Sequence, residues 1–219
     1  PTTRDWYETR WTKHIEPRWG SVKLTAIRRD GLERWYAEVE EATSLATRRS
    51  VQQVMRRLLQ VAYDREWTPR NVSAGITLPG SDPKDIRPLT EIEVNGLAKA
   101  VPDRYRALVW VLALGGLRNG EAVALQVQDI NGIIHVRRNA VEVGGRIEVG
   151  EPKTKAGRRP VLVPPALQRM LHEHVARYVS GSDTSALVFT TPSGAMVRPN
   201  NWRKRVFEPA LKAAGIERH

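Results

Sequence analysis

The feature that most constrains this chain is an apolar helix that runs into two glycines and a single arginine. Residues 107–114 are all apolar, Gly115 and Gly116 follow, and Arg118 comes two residues later. Gly120 and Glu121 then open a second helical segment that ends in an apolar stretch. Because glycines permit tight turns that other residues oppose, Arg118 is predicted to lie in an exposed turn between two packed helices. A guanidinium there is suited to binding an anion such as phosphate.

The overall charge of the chain indicates a polyanionic partner. Its 219 residues include 35 basic and 24 acidic side chains, which give a net charge of +11 and a pI near 10.4. A surplus of this size attracts nucleic acids, although a generic basic protein is the alternative on charge alone. The absence of cysteine excludes disulfide frameworks and thiolate metal sites, and it fits a reducing cytoplasm.

No segment of the sequence predicts a membrane partner. The longest apolar run has eight residues, whereas a spanning helix needs about 20. The first residues also lack the charged and then apolar order of a signal peptide. We therefore expect a soluble intracellular protein.

Composition divides the chain in two. Residues 68–85 contain repeated proline, glycine, serine and aspartate, which oppose both helix and strand. We predict a helical domain at residues 1–80, a linker at 81–88 and a second domain at 89–219. Basic residues outnumber acidic ones 14 to 10 in residues 1–80 and 21 to 14 in residues 81–219, so both parts carry positive charge.

The clearest element of the first domain is an amphipathic helix over residues 44–66. Its predicted core face consists of five apolar residues at spacings of three and four, which are Val51, Val54, Met55, Leu58 and Ala62. The other face carries arginine and glutamine, with no acidic residue before Asp64. These side chains are suited to phosphates and base edges, and a merely solvated face is the alternative. The candidate DNA-binding residues are Arg48, Arg49, Gln52, Gln53, Arg56 and Arg57.

The second domain is predicted to begin with a capped helix, because Thr90 and Glu93 have the spacing of a capping box. After Arg118 the apolar period changes from helical to alternating. Three strands are predicted at residues 133–143, 146–153 and 158–163, with turns at 144–145 and 156–157. Helices return at 165–179 and 201–214. The fold class is therefore mainly α with a small antiparallel β-sheet (α+β).

Four parts of the sequence resemble parts of the tyrosine recombinases, the phage integrase family. Residues 116–121, Gly-Leu-Arg-Asn-Gly-Glu, are similar to the family's first arginine motif. Residues 152–160, Pro-Lys-Thr-Lys-Ala-Gly-Arg-Arg-Pro, resemble the hairpin that carries its catalytic lysine, and the Leu-Thr-x-x-Glu at 89–93 resembles the opening of its catalytic domain. The residues before the linker resemble the family's helical core-binding domain.

The resemblance implies roles for individual residues. Arg118 corresponds to a ligand of the scissile phosphate, and Lys153 matches the catalytic lysine, with Lys155 on the same hairpin face as the second choice. Glu121 corresponds to a support for the arginine, and a general base is its alternative role. A basic turn that contacts DNA backbone nonspecifically is the alternative for the lysine segment. Lys155, Arg158 and Arg159 are predicted DNA contacts.

The function implied is site-specific DNA recombination through a 3′-phosphotyrosyl intermediate. The implied partner is double-stranded DNA of attachment-type core sites, on which the full-length protein self-associates into a tetrameric synapse. No metal or other cofactor is implied, and the implied location is the bacterial cytoplasm and nucleoid. A catalytically inactive relative and a basic DNA-binding regulator are the alternatives.

The family's His-x-x-Arg and nucleophilic tyrosine motifs are not found in these residues. The five tyrosines lie in segments that match other parts of the family, and His219 alone does not decide whether it begins the histidine motif. We therefore expect the fragment, with a C-terminally incomplete catalytic domain, to bind DNA without cleaving it.

Overall fold

The computed structural model describes residues 2–77, 87–152 and 154–217, without the side chains of Thr2 and Lys155. It divides into two compact units, Pro1–Pro83 and Lys84–His219. Most of the predicted linker, Lys153 and His219 lie outside the described residues. No helix in the described part of the chain is long and apolar enough to cross a membrane.

The first unit is built from helices packed around an aromatic and aliphatic core. The helices are α1 (Thr2–Arg10), which continues through the π-helical segment Trp11–Ile15 into α2 (Glu16–Trp19), then α3 (Arg29–Ala42) and α4 (Leu45–Asp64). Ser44 caps α4 because its hydroxyl accepts a hydrogen bond from the N–H of Thr47, 3.2 Å away. Leu32 and Tyr36 of α3 and Val51 of α4 are completely buried, so these two helices share one core.

The predicted core face of α4 is wrong at one position. Leu58 is 40% exposed, whereas Leu59 is buried. The buried stripe runs through Val51, Met55, Leu59 and Ala62 at spacings of four, four and three, which follow the helical period of 3.6 residues. Leu58 lies one position away, about 100° around the helix axis.

The second unit combines helices with two small antiparallel sheets. Its helices are α5 (Glu91–Ala100), α6 (Asp103–Gly115), α7 (Asn119–Val123), α8 (Pro165–Tyr178), α9 (Pro199–Trp202) and α10 (Glu208–Ala213), with a π-helical segment Arg203–Phe207 before α10. Its strands are β1 (Ile130–Asn131), β2 (Ile133–Val136), β3 (Asn139–Val143), β4 (Arg146–Gly150) and β5 (Arg159–Val161). The predicted class, mainly α with a small antiparallel β component, is confirmed.

Pairing of the strands differs from the predicted arrangement. One sheet has the order β1-β2-β5 and the other pairs β3 with β4. The predicted strand 133–143 is broken at Arg137 and Arg138, whose guanidinium groups approach the buried carboxylate of Asp129. The turn at Gly144 and Gly145 is confirmed, and both glycines have positive φ. The predicted second hairpin is wrong, because β5 pairs with β2 and not with β4.

Helix ends in the second unit follow the sequence closely. Thr90 and Glu93 form the predicted capping box at the start of α5. Gly215 has φ 68° just after α10, as expected for the glycine that ends a helix. The core between these helices and the sheets includes Leu108, Leu125 and Phe189, all at most 2% exposed.

Candidate active site and nucleic-acid interface

Arg118 is held at the turn between α6 and α7. Gly116 ends α6 with φ 57°, a left-handed conformation that favours glycine. Leu117 is buried at 6% exposure and anchors the turn to the core. Arg118 then takes an extended conformation as the N-cap of α7, and its side chain is 75% exposed. The turn therefore presents a cation to solvent from a backbone fixed on both sides.

Gly120 allows α7 to approach β3 closely. A Cβ at this position would lie 2.2 Å from the carbonyl oxygen of Ala140 and 2.5 Å from Oδ1 of Asn139. Any other residue would force the helix and the strand apart, since real Cβ contacts are not this short. The small residue in the motif thus sets the position of the helix that follows Arg118.

Glu121 is the buried centre of the site. Its side chain is only 1% exposed. The carboxylate accepts hydrogen bonds from the backbone N–H of Arg118 at 3.0 Å and from Nη1 of Arg118 at 2.7 Å. It also accepts from Nη2 and Nη1 of Arg159 at 3.0 and 3.3 Å. One buried anion therefore fixes both the backbone and the side chain of Arg118.

The pKa of Glu121 lies below its ordinary value. Burial opposes ionisation, but the hydrogen bonds from Arg159 and from Arg118 outweigh it and lower the pKa. A carboxylate that is ionised and saturated with donors is a poor proton acceptor. The geometry therefore favours the role of a support for Arg118 over that of a general base.

Arg159, one of the predicted DNA contacts, has several hydrogen-bond partners within the protein. Besides Glu121, its guanidinium donates to the carbonyl oxygen of Gly157 at 3.2 Å and to that of Gly116 at 3.4 Å. Its side chain is 31% exposed. No pattern in the sequence indicated this arrangement, because Arg158 and Arg159 are adjacent and identical, and only the pairing of β5 with β2 distinguishes them.

The segment that resembles a lysine-bearing hairpin forms a short helical turn. Lys153 lies outside the described residues, and Lys155 begins the 3₁₀-helix Lys155–Gly157. The prediction that the two lysines share a face of a hairpin depends on Lys153 and therefore stays a prediction. A Cβ on Gly157 would lie 2.5 Å from Cβ of Pro152, so these two residues pack closely against each other.

A basic groove of about 620 Å³ lies beside this turn. Arg137, Arg138, Arg158 and Arg159 line it, together with strand residues of β2, β4 and β5. Arg158 is 55% exposed and paired with Glu151, an exposed carboxylate. Arg137 and Arg138 were not among the predicted site residues, although two adjacent arginines that interrupt an alternating apolar pattern are a visible signal in the sequence.

Three of the six candidate DNA-binding residues of α4 lie on its exposed face. Gln53, Arg56 and Arg57 are exposed. Arg48 and Arg49 are half-buried, and Arg48 forms an ion pair with Glu40 at 2.5 Å.

Gln52 does not belong to that face. It is 3% exposed, and its side-chain amide donates a hydrogen bond to the carbonyl oxygen of Ile76 at 3.0 Å. Buried polar groups need such partners. The predicted interface of α4 is therefore narrower than the sequence pattern indicated.

Comparison with known proteins finds phage integrases among the relatives of this chain. No family model matches the sequence. The chain is 31% identical over 216 residues to the integrase of Mycobacterium phage L5. The aligned segment covers 96% of this chain and 56% of that protein. It is also 31% identical over 198 residues to the integrase of Mycobacterium phage D29, with coverages of 88% and 52%. The chain thus spans just over half the length of these curated relatives.

Solved structures with the same fold are also found. The integrase of the Tn1549 transposon in complex with a circular intermediate DNA has a TM-score of 0.83 and 15% identity, over 99% of this chain and 74% of that one. A lambda integrase (75–356) dimer bound to a COC′ core site has a TM-score of 0.74 and 15% identity, over 100% and 76%. At 15% sequence identity, these two structures support the fold alone.

Proposed function

Because the chain belongs to the tyrosine recombinase family, the family of the phage integrases, we propose that it acts in site-specific DNA recombination. The observation that carries the proposal is the Arg118 site, where a buried Glu121 fixes an arginine whose side chain is 75% exposed. A preorganised cation of this kind stabilises the charge that develops on a phosphoryl group during transfer. Arg118 is accordingly the proposed ligand of the scissile phosphate, and Glu121 its support.

The proposed chemistry is phosphoryl transfer to a protein hydroxyl and back. A tyrosine oxygen attacks the scissile phosphorus, the bond from phosphorus to the 5′-oxygen breaks, and a 3′-phosphotyrosyl ester forms. Lys153 is the proposed general acid that donates its proton to the leaving 5′-oxygen. Attack by a 5′-hydroxyl on the ester then releases the tyrosine and joins the strands. The ester conserves the energy of the phosphodiester, so the proposal needs no metal or other cofactor.

The proposed partner is double-stranded DNA with attachment-type core sites. Both units carry more basic than acidic residues, which supports contact with phosphates by each. In the helical domain, residues 1–80, the proposed contacts are Gln53, Arg56 and Arg57. In the catalytic domain, residues 89–219, they are Lys155 and Arg158. We propose further that the whole protein self-associates on DNA in the bacterial cytoplasm, consistent with the DNA-bound lambda integrase dimer.

These 219 residues are proposed to bind DNA without cleaving it. Of the five tyrosines, Tyr36 and Tyr105 are buried. Tyr178 packs against His174, with ring centroids 5.0 Å apart, and lies beside Arg104. No contact between a tyrosine and Arg118 is found within the described residues, and this observation supports the proposal that the nucleophile is not among the five.

Selection from a randomised duplex pool tests the proposed function. The 219-residue protein is incubated with the pool at moderate salt, and bound duplexes are amplified and sequenced. We expect one sequence motif to be enriched, and the affinity for it to fall steeply with salt concentration. A protein that binds no duplex even at low salt, or that enriches no motif, contradicts the proposal.

A further inference from the structure

Arg159 connects three segments of the candidate site. Its guanidinium contacts both carboxylate oxygens of Glu121, the carbonyl oxygen of Gly116 two residues before Arg118, and the carbonyl oxygen of Gly157. We propose that Arg159 is a positioning residue that acts through Glu121 to hold Arg118 in place and to fasten the 3₁₀ turn Lys155–Gly157 beside it. The inference rests on the proposed function of Arg118 for its catalytic meaning, and on these contacts for its structural content.

The charges at the site explain why a second arginine is needed. Glu121 is 1% exposed, and an ionised carboxylate in that position must be compensated by hydrogen-bonded cations. Arg118 is 75% exposed and Arg159 is 31% exposed, so Arg159 is the more deeply placed partner. Without it, Glu121 would retain Arg118 as its only cationic partner among the described side chains. Arg118, which already donates to the carboxylate at 2.7 Å, would then have to balance its charge without Arg159 and would be less available to a phosphate.

The side chain of Arg159 also fixes the C-terminal end of the 3₁₀ turn. Gly157 packs against Pro152 and donates its N–H to the carbonyl oxygen of Thr154 at 2.9 Å. Arg159 donates to the carbonyl oxygen of Gly157 while it holds Glu121. Loss of Arg159 should therefore disturb both the arginine motif and this turn, although the two lie far apart in the sequence.

Arg158 provides a matched control for this proposal. It has the same charge as Arg159, is adjacent to it and lines the same groove. Its partner is the exposed Glu151, and its own side chain is 55% exposed. Arg158→Gln removes the same charge as Arg159→Gln without changing a partner of Glu121.

Carbon-13 NMR of the Glu121 carboxyl group tests the structural part. We expect Arg159→Gln to raise the pKa of Glu121 and Arg158→Gln to leave it unchanged, because only the first variant removes a hydrogen bond to the carboxylate. Arg159→Lys, which keeps the charge but not the two-pronged geometry, should fall between wild type and Arg159→Gln. An unchanged titration of Glu121 in folded Arg159→Gln would overturn the proposal.

The wild-type protein offers a measurement that needs no variant. Rotation of the guanidinium group, followed by nitrogen-15 NMR, should be slower for Arg159, whose Nη1 and Nη2 donate to three residues, than for Arg158. Equal rates for the two arginines would overturn the proposal even where substitutions prevent folding.

A double-mutant cycle on DNA affinity separates positioning from direct contact. In the wild-type background Arg159→Gln should weaken binding to the selected duplex. In the Arg118→Ala background its effect should shrink, by a coupling of about twofold or somewhat more, at the lower end of what residues of one charge network show, because Arg118 itself contributes only part of the affinity. Arg158→Gln should instead be additive with Arg118→Ala to within about twofold. An Arg159→Gln effect that persists undiminished in the Arg118→Ala background marks Arg159 as a DNA contact and contradicts the proposal.

The carboxyl titration and the DNA-binding measurements together distinguish this inference from the proposed function. The titration of Glu121 decides whether Arg159 holds the carboxylate, and the double-mutant cycle decides whether it acts through Arg118. The response of the wild-type protein and Arg118→Ala to DNA decides whether Arg118 meets a phosphate. If the titration shifts while DNA binding is absent, the proposed function fails and the positioning role stands. If DNA binding depends on Arg118 while the titration is unchanged, only the positioning role fails.

Discussion

The carboxylate of Glu121 accepts hydrogen bonds from both the backbone N–H and the guanidinium of Arg118, at 3.0 and 2.7 Å. The first bond satisfies a free donor at the start of α7, and the second fixes the direction of the side chain. One buried residue therefore orders the local backbone and orients the cation, so changes at Glu121 should affect stability and DNA chemistry together.

The stability that is lost when Glu121 is replaced should depend on pH in a defined way. Glu121→Gln leaves two arginines without their counter-charge, and we expect a loss of about 1–3 kcal/mol in the free energy of unfolding at neutral pH. The pKa of Glu121 is lowered in the folded protein, so its contribution is complete above the ordinary carboxyl range and is lost as pH falls through the native pKa. Thermal melts of both proteins from pH 7 down to pH 3 should therefore converge. Glu148→Gln, at an exposed position of β4, is the control, and a gap that widens at low pH would contradict the assignment.

Removing the Arg118 side chain should affect cleavage more than binding. In an intact recombinase that contains this chain, Arg118→Ala should reduce the cleavage rate by roughly 10²-fold or more, as for other preorganised groups that stabilise developing charge. Affinity should fall much less, because many other phosphate contacts remain. Single-turnover cleavage and fluorescence anisotropy measure the two effects. Arg146→Ala, which removes an exposed charge from β4, is the matched control, and equal cleavage by both variants would remove Arg118 from the proposed site.

Two glycines of the arginine motif should respond differently to alanine. Gly120→Ala places a Cβ 2.2 Å from the carbonyl oxygen of Ala140, so α7 or β3 must shift, with a cost of about 1–3 kcal/mol or more. In Gly116→Ala the added Cβ meets no atom within 4 Å, and the substitution is unfavourable only because φ is 57°. We expect it to lower the free energy of unfolding by about 1–2 kcal/mol. Gly144→Ala, in the β3–β4 turn at φ 54°, is the control for backbone strain away from the site. Urea denaturation measures all three. If Gly120→Ala is no less stable than Gly144→Ala, the close approach of α7 to β3 is not required.

The exposed face of α4 should supply affinity that depends on salt. Substitution of Gln53, Arg56 and Arg57 by alanine should weaken DNA binding and lower the salt slope by roughly 0.9 for each phosphate that the variant no longer neutralises. The paired variant Arg4→Ala with Arg34→Ala removes the same charge from exposed sites of the first unit, where each arginine pairs with an acid on its own helix. If both variants bind alike at every salt concentration, the α4 face is only solvated.

A suicide-substrate assay should give no covalent product with these 219 residues. A nicked duplex that carries the selected motif is incubated with the protein and resolved under denaturing conditions. We expect stoichiometric complexes in native gels and no protein–DNA adduct after denaturation, because none of the five tyrosines is proposed as the nucleophile. An adduct mapped to any of them would contradict both this prediction and the alignment of motifs with the family.

Local interactions explain what could be predicted from the sequence. The cap at Thr90, the turn at Gly144 and Gly145, and the left-handed glycine after α10 depend on residues within a few positions of each other. The mainly helical class with a small antiparallel component follows from apolar periods of the same short range. The motif around Arg118 could be recognised for the same reason, since its glycines, arginine and glutamate are contiguous.

What only the tertiary structure decided depends on partners distant in the sequence. Gln52 is buried because the carbonyl oxygen of Ile76, 24 residues later, meets its amide. Arg159 turns towards Glu121 rather than the solvent because β5 pairs with β2, with Arg159 opposite Val136, and successive side chains of a strand point to opposite faces. Register is set by long-range packing, and a one-residue slip would exchange Arg158 for Arg159. The sequence by itself therefore determined which residues form the motif, and the fold determined which arginine holds it.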